Sequence, residues 1–264
     1  MRRTYVIVLM MLMVLAGCQW QSKKAVDEQQ PDFDVSIVRY DRIENLYLTL
    51  ADFAALHQMR TDYPVQTRTL IENVLQLGQV NAPDINTRFL MYFQDSTLQA
   101  LVADVERQYE DVDDLNAQLT AAFRHLTKLL PDIKVPQVYT QIGSLDQSIV
   151  VTDSMLGISL DKYLGADYPA YLHYDYTERQ RKMMTREYIV PDCLSFYLLS
   201  LFPLADADQA TEVQRHWHMS KIQMVVNSAI GQKVFSGEYI DKLESYRKSH
   251  PQMSTARLLM LEPF

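Results

Sequence analysis

Cysteine, glycine and the short motifs of common enzymes are scarce in this sequence, which has two cysteines and seven glycines among 264 residues. So few glycines disfavour an all-β fold, whose many tight turns need residues that tolerate positive φ. The sequence has no His-Glu-x-x-His of zinc peptidases, no Gly-x-Ser-x-Gly of hydrolases and no Gly-rich phosphate or dinucleotide loop. We therefore predict no catalytic residue, no metal and no cofactor.

The N-terminus has the pattern of a bacterial lipoprotein signal. Two arginines precede an apolar run over residues 6–15, which is much shorter than the about 20 residues a membrane-spanning helix needs. The run ends at Leu15-Ala16-Gly17-Cys18, which resembles the lipobox whose cysteine becomes the acylated first residue. We predict a signal peptide over residues 1–17, acyl chains such as palmitate on Cys18, and a polar tether over residues 18–34. The alternative is a plain secretory signal.

The charge balance limits the partners of the mature chain. Removing residues 1–17 takes away Arg2 and Arg3, which leaves 23 of the 25 basic residues against 33 acidic ones, a net charge of −10. This charge argues against nucleic acid and against adsorption to anionic lipid, so we expect the acyl chains to hold the protein at the membrane. With Cys18 acylated, Cys193 is the remaining thiol and cannot form an internal disulfide. Its apolar surroundings predict a buried, inert thiol.

Periodicity predicts a mainly helical, α+β fold with one small sheet in mid-chain. The clearest helix spans residues 111–130, and Pro131 ends it. Two-residue alternation then predicts strands near residues 138–142, 148–153 and 157–161, which we interpret as an antiparallel meander. A further short strand is predicted at residues 35–40. Because no Pro- or Gly-rich linker divides residues 35–264, we predict a single helical domain there.

Acids and tyrosines gather after this meander and form the candidate binding site. Aromatic rings supply contact area, and their hydroxyls fix the orientation of a ligand. The candidates are Asp161, Tyr168, Tyr171, Tyr174, Glu187 and Asp192. The alternative is structural: the acids cap helices, and the tyrosines pack with only their hydroxyls in water. His216 and His218 do not form a metal pair on a helix, because a spacing of two turns them about 200° apart.

The central block resembles the gliding-motility-associated lipoprotein GldB family of the Bacteroidetes. The resemblance rests on Val135 to Tyr139, Ile149 to Asp153, Leu156 to Asp161, Tyr163 to Gly165 and Tyr188 to Asp192, together with the lipobox and the segment Val35 to Tyr40. It implies an envelope lipoprotein with a helical body around a small sheet, and it supplies no catalytic residues.

Two classes of function follow. The first is a non-enzymatic binding or scaffolding lipoprotein, associated with gliding motility and cell-surface machinery. Its expected partners are the membrane, through the lipid, and an envelope protein, and its expected place is the outer membrane. The second is a hydrolase-like domain, such as a degenerate zinc peptidase, in which helices also flank a small meander. The missing His-Glu-x-x-His motif counts against the second.

Overall fold

The computed structural model describes residues 33–264, so the predicted signal peptide, Cys18 and most of the predicted tether lie outside the described residues. The described chain is mainly helical, as predicted. Its α-helices are α1 Tyr40–Leu50, α2 Phe53–Thr61, α3 Pro64–Arg68, α4 Ile85–Tyr92, α5 Ser96–Gln108, α6 Asp113–Leu129, α7 Pro169–His173, α8 Glu178–Met183, α9 Ile189–Leu201, α10 Glu212–Ile230, α11 Glu238–Ser249 and α12 Thr255–Leu259. A π-helix, Thr69–Val74, continues α3, and 3₁₀ turns lie at Leu160–Tyr163 and Arg186–Tyr188.

Helix α6 is the predicted helix of residues 111–130 and lies at the centre of the helical packing. Its apolar stripe is buried, and acids occupy its first turn while Lys128 lies in its last turn. Both charges favour the helix, because they oppose the partial charges at its ends. The stripe packs against α9 and α10. Helix α9 also contacts β2 and β3, so it joins this helical packing to the sheet.

The three strands are β1 Gln137–Gln141, β2 Ile149–Val151 and β3 Met155–Ser159, in the order β1-β3-β2. β3 pairs antiparallel with β2 but parallel with β1. The predicted antiparallel meander is therefore wrong in one of its two pairings. β1 and β3 are buried along almost their whole length, a pattern typical of parallel strands covered on both faces. After β1 the chain forms β2 at the far edge of the sheet. It then returns to form β3 between β1 and β2.

Gly157 allows the close pairing of β1 and β3. It lies opposite Tyr139 in the parallel register. A Cβ atom at this position would lie 2.5 Å from the ring carbon Cζ of Tyr139 and 2.6 Å from its hydroxyl. The tyrosine ring lies across the strand, and only glycine leaves room for it.

The segment before α1 lies along α6. Val35 N–H donates to Thr120 Oγ1 at 2.9 Å, and Ile37 N–H donates to Asn116 Oδ1 at 2.8 Å. The predicted strand at residues 35–40 is wrong, because only one bridge forms there, between Val38 and Tyr139. The side chains of α6 take the backbone donors that a strand neighbour would otherwise use.

Local sequence signals mark both ends of α10. Thr211 caps α10 with a complete capping box, and Gly231 ends it at a φ of 75°. Helix α9 begins at Ile189, two residues before Pro191, so Asp192 lies inside its first turn. Among residues 33–264, every helix is too short or too polar to cross a bilayer. Residues 33–264 form one compact unit.

Candidate functional site

The exit of β1 is held by three carboxylates, two from α1 and one from the turn after β3. Thr140 Oγ1 donates to Asp41 on α1. Ile142 N–H donates to Glu44 Oε2, also on α1, at 2.8 Å. Gly143 N–H donates to Asp161 Oδ1 at 2.7 Å. The acids meet here because α1 packs on β1 and because β1 and β3 are parallel, which brings their carboxyl ends to one edge.

Asp161 holds a turn whose backbone is otherwise unfavourable. Ser144 and Leu145 have φ values of 54° and 65°, a left-handed conformation that costs a non-glycine residue about 1 kcal/mol or more. Asp161 Oδ2 accepts the Leu145 N–H at 2.5 Å, next to the bond from Gly143. Burial raises the pKa of Asp161, while these backbone donors act in the opposite direction. The carboxylate is therefore a structural clamp and is fully buried.

Glu44 and Asp41 differ in their ion-pair and hydrogen-bond partners. Asp41 receives two bonds from Arg39, from Nε at 2.9 Å and from Nη2 at 2.7 Å. Glu44 has no basic partner within the described chain, and its Oε1 is buried without a hydrogen bond. Burial raises the pKa of Glu44 well above its usual range, and the charges of Asp161 and Asp41 raise it further. Burial and two neighbouring acids therefore both oppose ionisation of Glu44.

Residues 165–184 form a closed excursion after β3 that contains α7 and α8, and we call it the 165–184 excursion. Its ends meet where Gly165 N–H donates to the Met184 carbonyl at 3.0 Å. Arg181 Nη1 also donates to the Ala166 carbonyl at 2.9 Å. Compact loops whose ends meet in this way often carry function.

The inner side of the 165–184 excursion is built on Tyr171, which is fully buried. Its hydroxyl donates to the Asp161 carbonyl at 2.6 Å and accepts the Leu164 N–H at 2.9 Å. Its ring makes edge contacts with the rings of Tyr168 and Tyr176. Tyr168 is half-buried, and its hydroxyl donates to Asp104 Oδ2 at 3.0 Å. The prediction that Tyr171 faces a partner is wrong, because its hydroxyl joins two backbone groups that have no access to water.

The outer side of the same excursion carries exposed apolar side chains. Leu172 is 54% exposed, Tyr174 48% and Met183 40%. We call these three side chains the outer face. Arg179 and Lys182 are also exposed on α8. Of the three predicted tyrosines, only Tyr174 is mainly available for contact with another molecule.

Asp192 is the hydrogen-bond partner of the buried Tyr163 hydroxyl. Tyr163 hydroxyl donates to Asp192 Oδ2 at 2.8 Å. Burial raises the pKa of Asp192 to about 6, and the bond from Tyr163 opposes that rise. The neighbouring Cys193 is fully buried, as predicted, and burial raises the pKa of its thiol. Asp192 does not cap a helix, because α9 begins three residues earlier.

Glu187 lies apart, in a groove of about 610 Å³ between α6, the 3₁₀ turn of residues 186–188 and the end of α10. Its carboxylate is exposed. The adjacent Arg186 donates to Asp114 on α6, with its Nε at 3.0 Å, and lies 4.9 Å from the centre of the Tyr109 ring. The guanidinium is thus committed to holding the 3₁₀ turn against α6.

The structure joins some predicted site residues and separates others. Asp161, Tyr168 and Tyr171 belong to one packed cluster, Asp192 joins it through Tyr163 next to Leu164, and Glu187 faces another groove. Sequence reasoning missed Glu44, which is as fully buried as Asp161. Its signal was its spacing from Tyr40 and Tyr47, four and three residues away, which places it on their face of a helix. It also missed Lys162, whose Nζ donates to the Tyr176 hydroxyl at 2.8 Å.

The two histidines of α10 have different surroundings. His216 is exposed, whereas His218 is buried. Within the part of the chain that the structure describes, no three His, Cys, Asp or Glu side chains are placed to share a metal ion.

A family model described as gliding motility protein GldB matches residues 21–234, which is most of the chain. The chain belongs to the GldB family. The match includes the carboxylate-held exit of β1 and the whole 165–184 excursion, so both are features of the GldB-matched region. It ends shortly after α10, so α11 and α12 of this GldB-family chain lie beyond it. No curated protein and no solved structure matches the chain.

Proposed function

We propose that this GldB-family protein is an envelope lipoprotein, anchored at the outer membrane through acylated Cys18. Its body binds another envelope protein and does not catalyse a reaction. The contact is made by the outer face, Leu172, Tyr174 and Met183. The partner presents an apolar centre with an acidic rim.

The observation that carries this proposal is the division of the central block into two sides. The polar groups on its inner side form hydrogen bonds within the chain, since Asp161 and Tyr171 bond backbone groups. The outer face exposes apolar side chains to water. The 165–184 excursion that carries it is closed by the hydrogen bond between Gly165 and Met184. Tyrosine, methionine and arginine are enriched in the cores of protein interfaces. A fixed platform also loses little entropy on binding.

Local charge supports one kind of partner. The segment 177–186 contains Arg179, Arg181, Lys182 and Arg186 but only one acid, Glu178, although the whole chain has a net charge of −8. Arg186 pairs with Asp114, Lys182 with Glu178 and Arg181 with Asp167. Arg179 has no ion pair within residues 33–264, and this exposed cation beside the apolar side chains suits an acidic group on a protein surface. We favour a protein over anionic lipid because tyrosine and methionine are enriched in the cores of protein interfaces.

The test compares variants of the lipidated protein in its own membranes. The double variant Leu172→Ala with Tyr174→Ala removes two side chains of the outer face. We expect it to lose a specific, cross-linkable protein partner while its melting temperature stays within about 1 °C of wild type, because exposed positions contribute little to stability.

Leu50→Ala with Phe53→Ala is the matched control, since both side chains are highly exposed elsewhere in the fold. It should retain the partner. Loss of the partner in both double variants, or in neither, contradicts the proposal. Binding of the unlipidated body to anionic vesicles through Tyr174 would also contradict it, since the outer face would then be a lipid contact.

A further inference from the structure

A second cleft lies outside the central block, at the start of α10. It has a volume of about 450 Å³. One wall is the loop after α9, from Phe202 to Ala210. The other is the chain's last segment, from Leu259 to Pro263, and the floor is one face of α10. Trp217, His218 and Lys221 of that face line it.

Lys221 is a buried cation with few partners. The residue is only 6% exposed, and its Nζ donates to the Leu261 carbonyl at 2.8 Å, its one hydrogen bond within the described chain. An ammonium group has three donors, so two are left over. Burial lowers the pKa of Lys221, and the charge of Glu262 partly offsets this. A buried ammonium without a directly bonded carboxylate is costly, which is a common property of binding sites.

His218 lies one turn before Lys221 on the same face and is also incompletely paired. It is 7% exposed. Its Nε2 is shielded from water and has no hydrogen-bond partner within residues 33–264. Burial, followed by the charge of Lys221, lowers the pKa of His218. His218 and Lys221 thus line one cleft as two adjacent buried side chains. Each has a nitrogen that can form further hydrogen bonds.

The last segment of the chain is held at the cleft by the same helix. Trp217 Nε1 donates to the Leu261 carbonyl at 2.9 Å, so this oxygen receives both Trp217 and Lys221. The Trp217 ring also meets the Phe264 ring, with centres 4.9 Å apart. One wall of the cleft is therefore fixed by contacts that do not use the free donors of Lys221.

We propose that this cleft binds a monocarboxylate with an apolar body. The carboxylate accepts hydrogen bonds from Lys221. A polar group of the ligand, next to its carboxylate, forms a hydrogen bond with His218 Nε2. Phe202, Pro203 and Leu259 supply apolar walls for the body. A dianion such as phosphate is disfavoured, because Asp206 and Glu262 also line the cleft and a single lysine would have to balance both of its charges.

The test uses three probes of known charge: N-acetyl-L-leucine, its neutral analogue N-acetyl-L-leucinamide, and inorganic phosphate. Each is titrated into the full folded chain, and binding is followed by calorimetry and by the NMR signals of the Trp217 indole. We expect saturable binding of the acid, and at least about tenfold weaker binding of the amide and of phosphate, since a hydrogen bond to a charged group discriminates by this much.

Two variants separate the ligand contact from the hold on the last segment. Lys221→Met removes the ammonium and keeps the apolar stem, and it should weaken binding of the acid about tenfold or more. Phe264→Ala removes the ring contact between the last segment and Trp217 but keeps the ammonium, so it should retain the preference for the acid over the amide. The proposal is overturned if the acid does not saturate by about 10 mM, if acid and amide bind equally, or if Lys221→Met binds the acid as wild type does.

Discussion

Replacing Tyr171 with Phe removes one oxygen atom and leaves the ring in place. That oxygen bonds two backbone groups, the Asp161 carbonyl at 2.6 Å and the Leu164 N–H at 2.9 Å. Both groups would then be buried without a partner, and an unpaired buried polar group costs about 1–3 kcal/mol. Partial relaxation of the loop would recover some of this cost. We expect the free energy of unfolding to fall by about 2 kcal/mol.

Thermal and urea unfolding of the purified body measure this loss. For a chain of this size, about 2 kcal/mol corresponds to a fall in melting temperature of roughly 4–8 °C. Tyr174→Phe is the control, because Tyr174 is exposed and should change the melting temperature by less than about 1 °C. A loss in Tyr171→Phe no larger than that in Tyr174→Phe would refute the assignment of Tyr171 to the core. Equal binding of the envelope partner by wild type and Tyr171→Phe would agree with it.

Three further predictions concern other parts of the chain. Asp192→Asn should remove a pH dependence: burial raises the pKa of Asp192 from 3.8 to about 6, so its contribution to stability is fully present below the unfolded pKa and is lost as pH rises through the folded one. The unfolding free energy of wild type minus that of the variant should fall by about 2 kcal/mol between pH 4 and 7, and a difference independent of pH in chemical denaturation would contradict this. Gly157→Ala should destabilise the sheet by about 1–3 kcal/mol, because the new methyl meets the Tyr139 ring; an unchanged urea midpoint would refute it. Cys18→Ser should abolish metabolic labelling with palmitate and retention in the membrane fraction, and a variant that stays acylated would show the lipobox interpretation to be wrong.

Features set by local sequence were predictable. The period of helix α6, its acidic first turn and Pro131 are all local, and so are the cap at Thr211 and the end at Gly231. The parallel pairing of β1 with β3 was not, because strand order depends on which strands meet in the folded chain. The alternation of polar and apolar residues is the same for both pairings.

The candidate site was predictable in composition but not in direction. Three tyrosines within seven residues of loop indicated a binding surface, yet Tyr171 packs inward while Tyr174 points out. The short helix α7 decides this, since it buries Ala170 and Tyr171 and exposes Leu172. A helix of five residues has too few turns to show a periodic pattern in the sequence. Glu44 escaped prediction because its partner, the Ile142 N–H, is almost a hundred residues away.

Site-specific photo-cross-linking in living cells tests the central claim most directly. In one variant a photoreactive amino acid replaces Tyr174 on the outer face. In a second variant it replaces Phe53, which is exposed elsewhere on the fold. The account predicts one discrete protein adduct from position 174 in the envelope fraction, lost when Leu172 is also changed to Ala, and no such adduct from position 53. An adduct from position 53 alone, or adducts with lipid alone from position 174, would contradict it.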